Sequence, residues 1–155
     1  MGYISEIRKK VGHDPVFMPV SACGILQNNK ILLQKRTDNG KWAIHGGSLE
    51  LGETFIEALE RELKEELNIK PVNPQEVGIY SGEEQHSVYP NGDEVFVVSV
   101  IYFVNEYEGE LKPDEDEVSE LKWFDINELP NNIHIPDIKI IDDLINYYKN
   151  KILEK

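Results

Sequence analysis

The chain has 155 residues, 40% apolar and 29% charged, which suits one folded globular domain with a substantial core and excludes a disordered chain. Its 29 acidic and 16 basic residues give a formal charge of −13, a field that repels nucleic acid polymers, and no basic run offers a stripe for a phosphate backbone. No apolar stretch is long enough to span a bilayer, no secretory apolar region opens the chain, and the single cysteine, Cys23, excludes an internal disulfide; no membrane partner is expected, and the expected location is the cytoplasm.

Tyr3 to Lys10 reads as a short amphipathic helix with Tyr3, Ile4 and Ile7 apolar and Gly12 near its end. It packs either on the domain or on a second subunit, so a homodimer stays open. His13-Asp14-Pro15 is turn chemistry. Val16 to Leu26 is apolar and β-prone, and an Asn28-Asn29 turn leads into a strand from Lys30 to Arg36. After the polar loop Thr37 to Lys41, Trp42 to Ile44 leads into a glycine-punctuated stretch, with Trp42 expected in the core.

From Gly46 to Ile69 a loop becomes a helix. Thr54 has N-cap chemistry, and Glu57 three residues on completes a capping box. Asn68 accepts the left-handed conformation that ends a helix, so the helix is expected over Phe55 to Leu67. On a wheel of about 100° per residue with Glu62 at zero, Phe55, Leu59, Leu63, Ile56 and Leu67 fall between about +20° and +140°, the core face. Glu62, Glu65 and Glu66 fall on an adjoining strip with Ala58 among them. Like charges at i,i+4 cost a helix roughly 0.2–0.5 kcal/mol per pair, so Glu62 and Glu66 weaken it unless something cationic joins them. A hard divalent cation, Mg²⁺ or Mn²⁺, takes carboxylate and phosphate oxygens and would do so.

Val77 to Ser81 suggests a strand, and Asn91-Gly92 is a hairpin signal. Glu94 to Tyr107 is expected as a long central strand, apolar on both faces. Gly109 to Val118 is an acidic loop, Leu121 to Phe124 a last strand, and about Pro136 to Leu153 a terminal helix with Ile138, Ile141, Leu144, Ile145, Tyr148 and Ile152 at helical spacing. Strands on both sides of one central helix, with a second helix at the end, give an α/β/α sandwich around a mixed sheet, as one domain over 1–155. The four histidines lie too far apart in sequence for a zinc motif.

Gly47, five residues, Glu53, seven residues, Arg61-Glu62-Leu63, one residue, Glu65-Glu66, one residue, Asn68-Ile69 resembles the Nudix box of Nudix hydrolases, spanning 47–69. The preceding Trp42-x-x-x-Gly46-Gly47-x-x-Glu50-x-Gly52-Glu53 is also similar to that family. Two departures stand out: Asn68 where the family usually has glycine, and His45 where relatives often carry proline. The resemblance implies a Nudix-type sandwich and metal-dependent hydrolysis of a nucleoside diphosphate linked to another group, with a small nucleotide as partner. It implies Glu62, Glu65 and Glu66 as metal ligands, Glu50 as a further ligand candidate, and Glu53 with Arg61 as a pair fixing loop to helix. Gly46 and Gly47 let backbone approach a phosphate. In some relatives the general base lies in the loop before the late Trp-containing strand; here Glu117 is the first choice by its spacing to Trp123, and Glu120 the second. Arg36 is a phosphate candidate, and His86, Tyr89 and Tyr80 are candidates for base or ribose. The alternative is a Nudix-like sensor that binds a nucleotide without turnover.

Overall fold

The computed structural model describes residues 2–153. Helix α1 (Tyr3–Val11) precedes β1 (Val16–Gln27), β2 (Lys30–Arg36), β3 (Trp42–Ala43) and β4 (His45–Ser48). Helix α2 (Phe55–Leu67) follows, then β5 (Lys70–Val72), β6 (Gln75–Tyr80), β7 (His86–Val88), β8 (Glu94–Val104), β9 (Glu106–Glu108), β10 (Val118–Asp125) and α3 (Ile138–Leu153). The main sheet runs β10-β2-β1-β8-β6, with β3 on β2, β4 on β1 and β7 on β8. β1 and β8 are parallel, from Val16↔Val95 to Ile25↔Val104, and their other main partners are antiparallel. The mixed sheet between α2 and α3 is the expected sandwich.

Local chemistry explains the turns. Asn28 and Asn29 sit at φ 52° and 61°, the left-handed pair that joins two twisted strands by a two-residue loop, so β1 and β2 form a hairpin. Beyond Ile25↔Leu32 those strands separate, and the β3–β4 segment enters the wedge: β3 pairs β2 at Gln34 and Lys35, and β4 pairs β1 from Val20 to Cys23. A Cβ on Gly46 would overlap Ser21 O and Ala22 Cα, so only glycine permits this insertion. The wedge is where the cleft opens.

The two sheet faces bury separate cores. Leu26, Ile31, Leu33, Ile101 and Phe103 pack on Ile140, Ile141, Leu144, Ile145 and Tyr148 of α3. On the other face Cys23, Ile25, Leu32, Val100, Tyr102 and Val104 pack on Leu59, Leu63 and Leu67 of α2. Each fully buried Leu or Ile contributes roughly 1.5–3 kcal/mol of transfer free energy, which anchors α2 against the sheet.

Several boundaries shift from expectation. The central strand stops at Val104 rather than Tyr107, because Glu106–Glu108 leaves the sheet to pair with Lys70–Val72. Ile56, expected in the core, is 37% exposed, while Ala58 is fully buried; the core gathers around Leu59, Leu63 and Leu67, and the first turn extends beyond it. Pro136 lies in a 3₁₀ turn (Ile135–Asp137), and the terminal helix starts at Ile138. Helix α1 buries no residue. It is held by charge: Arg8 Nη2 donates to Glu94 O at 2.6 Å, and its Nε lies 3.6 Å from Asp93. Among the described residues no helix is long and apolar enough to cross a membrane.

Candidate active site

Helix α2 starts and stops where its caps dictate. Thr54 Oγ1 accepts from Glu57 N–H at 3.1 Å while Glu57 Oε1 accepts from Thr54 N–H at 3.0 Å, and Asn68 closes the helix at φ 61°, ψ 35°. Asn68 also does what glycine cannot: its Nδ2 donates to Glu110 O at 3.1 Å. The next rungs are main-chain, Lys112 N–H to Leu67 O at 2.9 Å and Asp114 N–H to Glu66 O at 2.8 Å. The acidic loop is thus the C-terminal cap of α2.

This stitching brings Glu117 into the cleft lined by Glu62 and Glu66. Glu66 is 5% exposed. Its Oε1 accepts from Gly46 N–H at 3.0 Å and its Oε2 from Gln34 Nε2 at 3.3 Å. Burial first, then the charge of Glu62, pushes its carboxyl up to about 8. Glu62 is also raised, by burial, with Arg61 opposing. A Cβ on Gly47 would collide with the Glu62 carboxylate, so the glycine lets that side chain lie against the loop. Partial desolvation of its carboxyl, then the charges of Asp114 and Glu65, raise Glu117, whose own charge acts on Glu62 and Glu66.

Arg61 supplies the local positive charge. Its Nε and Nη2 meet both Glu53 oxygens at 2.7 and 2.9 Å, its Nη2 reaches Ser48 O at 3.0 Å, and its Nη1 bridges Glu62 at 2.9 Å and Glu65 at 3.4 Å. Glu53, held below the usual carboxylate range by that pair, also accepts from Glu50 N–H at 2.8 Å. The Glu53–Arg61 fork therefore ties loop to helix. Among the described residues no group of three or more His, Cys, Asp and Glu side chains stands ready-made for a metal, and Arg61 holds the carboxylates of Glu62 and Glu65. The donor set nevertheless fits a hard divalent cation. Glu66 is buried with only neutral partners, each of its oxygens retains a lone pair, and Glu62 and Glu117 border the same space.

The cleft has a volume of about 430 Å³. Met18, Val20, Val97, Ile101 and Ile140 form apolar walls, and Gly46, Gly47, Arg36 and Tyr89 line it with the carboxylates. Arg36 forks onto Asp38 at 2.8 and 2.6 Å, and its Nη1 donates to His134 Nε2 at 3.0 Å. Burial and then Arg36 push His134 down to about 4. Asp137 Oδ2 accepts from Ile44 N–H at 3.1 Å, and burial pushes its carboxyl up to about 6.

Five expected residues do not line the cleft: Glu65 stays with Arg61 at 3.4 Å, Glu120 is exposed on β10, and Glu50, His86 and Tyr80 have other partners. Glu50 does not face the carboxylate strip: both its oxygens accept from Tyr3 N–H, at 3.2 and 3.0 Å, so it caps α1, whose free N–H groups attract a carboxylate. His86 donates from Nε2 to Glu94 at 2.7 Å and stacks on Phe96 at 4.7 Å. Phe96 lies on the sheet face opposite Val97, so strand alternation carries His86 away from the cleft. Tyr80 is tied to Asp143 of α3 at 2.5 Å. His45 is fully buried; its Nε2–H donates to Leu32 O at 2.8 Å, and burial pushes it down to about 4, so it is a neutral packing residue. Gln34, His134 and Asp137 were not anticipated. Gln34 sits on the apolar β2, His134 just before the 3₁₀ turn and Asp137 inside it, within the stretch expected as terminal helix; a histidine between Ile133 and Ile135 is the only hint.

A family model described as NUDIX domain matches residues 18–144. The chain is 37% identical over 132 residues to an ADP-ribose pyrophosphatase of Methanocaldococcus jannaschii, covering 83% of this chain and 73% of the relative. It is 33% identical over 122 residues to the NAD-capped RNA hydrolase NudC of Vibrio atlanticus, covering 77% of this chain but only 41% of that protein. Among solved structures, the MutT NUDIX hydrolase from Burkholderia pseudomallei superposes with a TM-score of 0.72 at 22% identity, over 83% of this chain and 98% of the other, a likeness of fold. The family model takes in β2, the glycine loop, α2 and the acidic loop, and the chain belongs to the Nudix hydrolases, enzymes that break pyrophosphate bonds.

Proposed function

We propose that this enzyme hydrolyses the diphosphate of a nucleoside diphosphate joined to a sugar, with ADP-ribose the first substrate to test and Mg²⁺ or Mn²⁺ as cofactor. The observation that carries this reading is the meeting of Glu62 and Glu66 with Glu117 in a cleft that also has apolar walls and Arg36. The ADP-ribose pyrophosphatase relative supports the substrate class, and divalent metal use is general in the family.

Glu62, Glu65 and Glu66 are the residues that would hold the cation, with Arg61 yielding Glu62 and Glu65 while keeping Glu53. The cation would neutralise charge on the diphosphate oxygens. The Gly46–Gly47 backbone allows close approach of a phosphate, and Arg36 offers a guanidinium to another. Glu117 accepts the proton of the attacking water as its oxygen bonds to phosphorus. The bridging P–O bond breaks, and two phosphomonoesters leave: for ADP-ribose, AMP and ribose 5-phosphate. The apolar walls hold the base or sugar and exclude bulk water. The chain's negative field and lack of a basic stripe favour a small nucleotide over a capped RNA.

The test is a turnover screen with Mg²⁺ or Mn²⁺ across ADP-ribose, nucleotide sugars, nucleoside triphosphates, dinucleoside polyphosphates and NAD-capped RNA. ADP-ribose or a nucleotide sugar should give the highest kcat/KM. A triphosphate or capped RNA in first place would overturn the substrate reading, and tight ADP-ribose binding without turnover would favour the sensor.

A further inference from the structure

Four consecutive carboxylates, Asp114 to Glu117, occupy the acidic loop, and their mutual repulsion favours an open chain unless the backbone is held. Asp114 holds it. Its N–H donates to Glu66 O at 2.8 Å, so it caps α2 directly. Its carbonyl accepts from Glu117 N–H at 3.1 Å and Val118 N–H at 2.8 Å, closing a helical turn. Its Oδ1 accepts from Asp116 N–H at 3.1 Å, the side-chain mimic of a turn for which Asp and Asn are suited. From the other side Thr37 N–H donates to Glu117 O at 3.3 Å, and Thr37 Oγ1 reaches the Asp116 and Glu117 carbonyls at 3.2 and 3.3 Å. The backbone of Glu117 is therefore engaged at both its N–H and its carbonyl, and its side chain lines the cleft beside Glu62 and Glu66.

We propose that Asp114 is a positioning residue for catalysis: its side-chain oxygen folds the 114–117 turn, and its N–H fixes that turn to α2, so that Glu117 is presented to the carboxylates of Glu62 and Glu66. This rests on Glu117 acting as the general base. Asp114 never touches substrate. What the role needs is a short acceptor at Oδ1 rather than a negative charge, so asparagine should serve, while alanine lacks the acceptor and glutamate carries it one methylene too far.

The test compares wild type with Asp114→Ala, Asp114→Asn, Asp114→Glu, Glu117→Gln and the Asp114→Ala/Glu117→Gln double variant, using ADP-ribose and Mg²⁺. Asp114→Ala and Asp114→Glu should lower kcat by roughly ten- to a hundredfold, with KM within about twofold. Asp114→Asn should stay within about threefold of wild type, and Asp114→Ala should cost almost nothing more once Glu117 is Gln. Without substrate, amide exchange at Glu117 and Val118 should accelerate in the Ala and Glu variants and stay slow in Asn. The Mg²⁺ concentration that half-shifts the melting temperature should not move, because the ligands lie on α2. Wild-type kcat in Asp114→Glu, an Asn variant as impaired as Ala, or a full Ala effect on the Glu117→Gln background would each overturn the proposal. If Asp114→Ala does not fold, the glutamate and asparagine variants decide alone. Wild-type kcat in Glu117→Gln would instead remove the base assignment, and this proposal with it; a large Glu117→Gln loss with an unaffected Asp114→Ala would sink only the positioning role.

Discussion

Helix α2 and the Gly109–Glu117 loop bring carboxylates to one cleft by opposite means. On α2, position follows from spacing: Glu62 and Glu66 stand one turn apart, between a capping box and a left-handed asparagine. The loop has no periodicity, and Glu117 arrives through main-chain bonds to the end of α2 and to Thr37. The environments differ accordingly. Glu66 is 5% exposed with both oxygens bonded, whereas Glu117 is exposed and only its backbone is fixed. A group that holds a cation gains from rigidity, because the ligand geometry is then prepaid. A group that takes a proton must reach a water, and an anchored backbone with a free side chain permits that.

The largest effect should follow a break at the helix. Glu66→Gln keeps size and helix propensity, accepts Gly46 N–H through its amide oxygen, and leaves Gln34 able to turn its own amide to match. The fold should persist by circular dichroism while kcat/KM falls about 10⁴-fold and Mg²⁺ binding weakens, since charge stabilisation at the diphosphate is lost. Lost melting temperature with unchanged activity per folded molecule would make Glu66 a structural residue. Chelation of divalent ions should abolish turnover in wild type and variant alike.

Glu117→Gln should come next, lowering kcat by roughly 10²–10⁴-fold with little change in KM. The contrast with Glu66 sharpens in the metal titration: the Glu117 variant should retain wild-type Mg²⁺ affinity. Equal loss of affinity in both would mean that the two carboxylates do one job.

Asn68→Gly tests the seam between the regions. Glycine relieves the left-handed backbone but forfeits the bond to Glu110, so stability should change by no more than about 1 kcal/mol. A freer loop should cost roughly two- to fivefold in kcat. An unaltered kcat would show that the main-chain rungs from Lys112 and Asp114 suffice.

The smallest effect lies outside both regions. Asp137 is raised from its usual 3.8 to about 6 by burial. The folded state therefore binds its proton more tightly than the unfolded chain does. The stability this contributes is complete below about pH 3.8, and it fades as the pH rises to about 6. Asp137→Asn keeps an acceptor for Ile44 N–H and should reduce the slope of denaturation free energy against pH between about pH 4 and 6, while the share of Glu66, raised to about 8, persists. An unchanged slope would assign the dependence to another group.

Local chemistry in the sequence determined α2 from Phe55 to Leu67, its two caps, the Asn28-Asn29 hairpin and the strip of glutamates, because caps, turns and i,i+4 spacing act over a few residues. The spacing of the box from Gly47 to Ile69 carries the family within the sequence itself. Tertiary structure alone decided what each polar side chain meets. Glu50 and Glu66 are both glutamates of the box, yet one caps α1 and the other is buried against Gly46 and Gln34. His86 and Tyr89 lie three residues apart, and only Tyr89, just past the end of β7, lines the cleft. Arg36, His134 and Asp137 gather there across about a hundred residues of chain. A period of 2 or 3.6 encodes which face a residue occupies, whereas its partner across the fold depends on how strands separate, where a loop stitches onto a helix end, and which glycine lets two backbones touch.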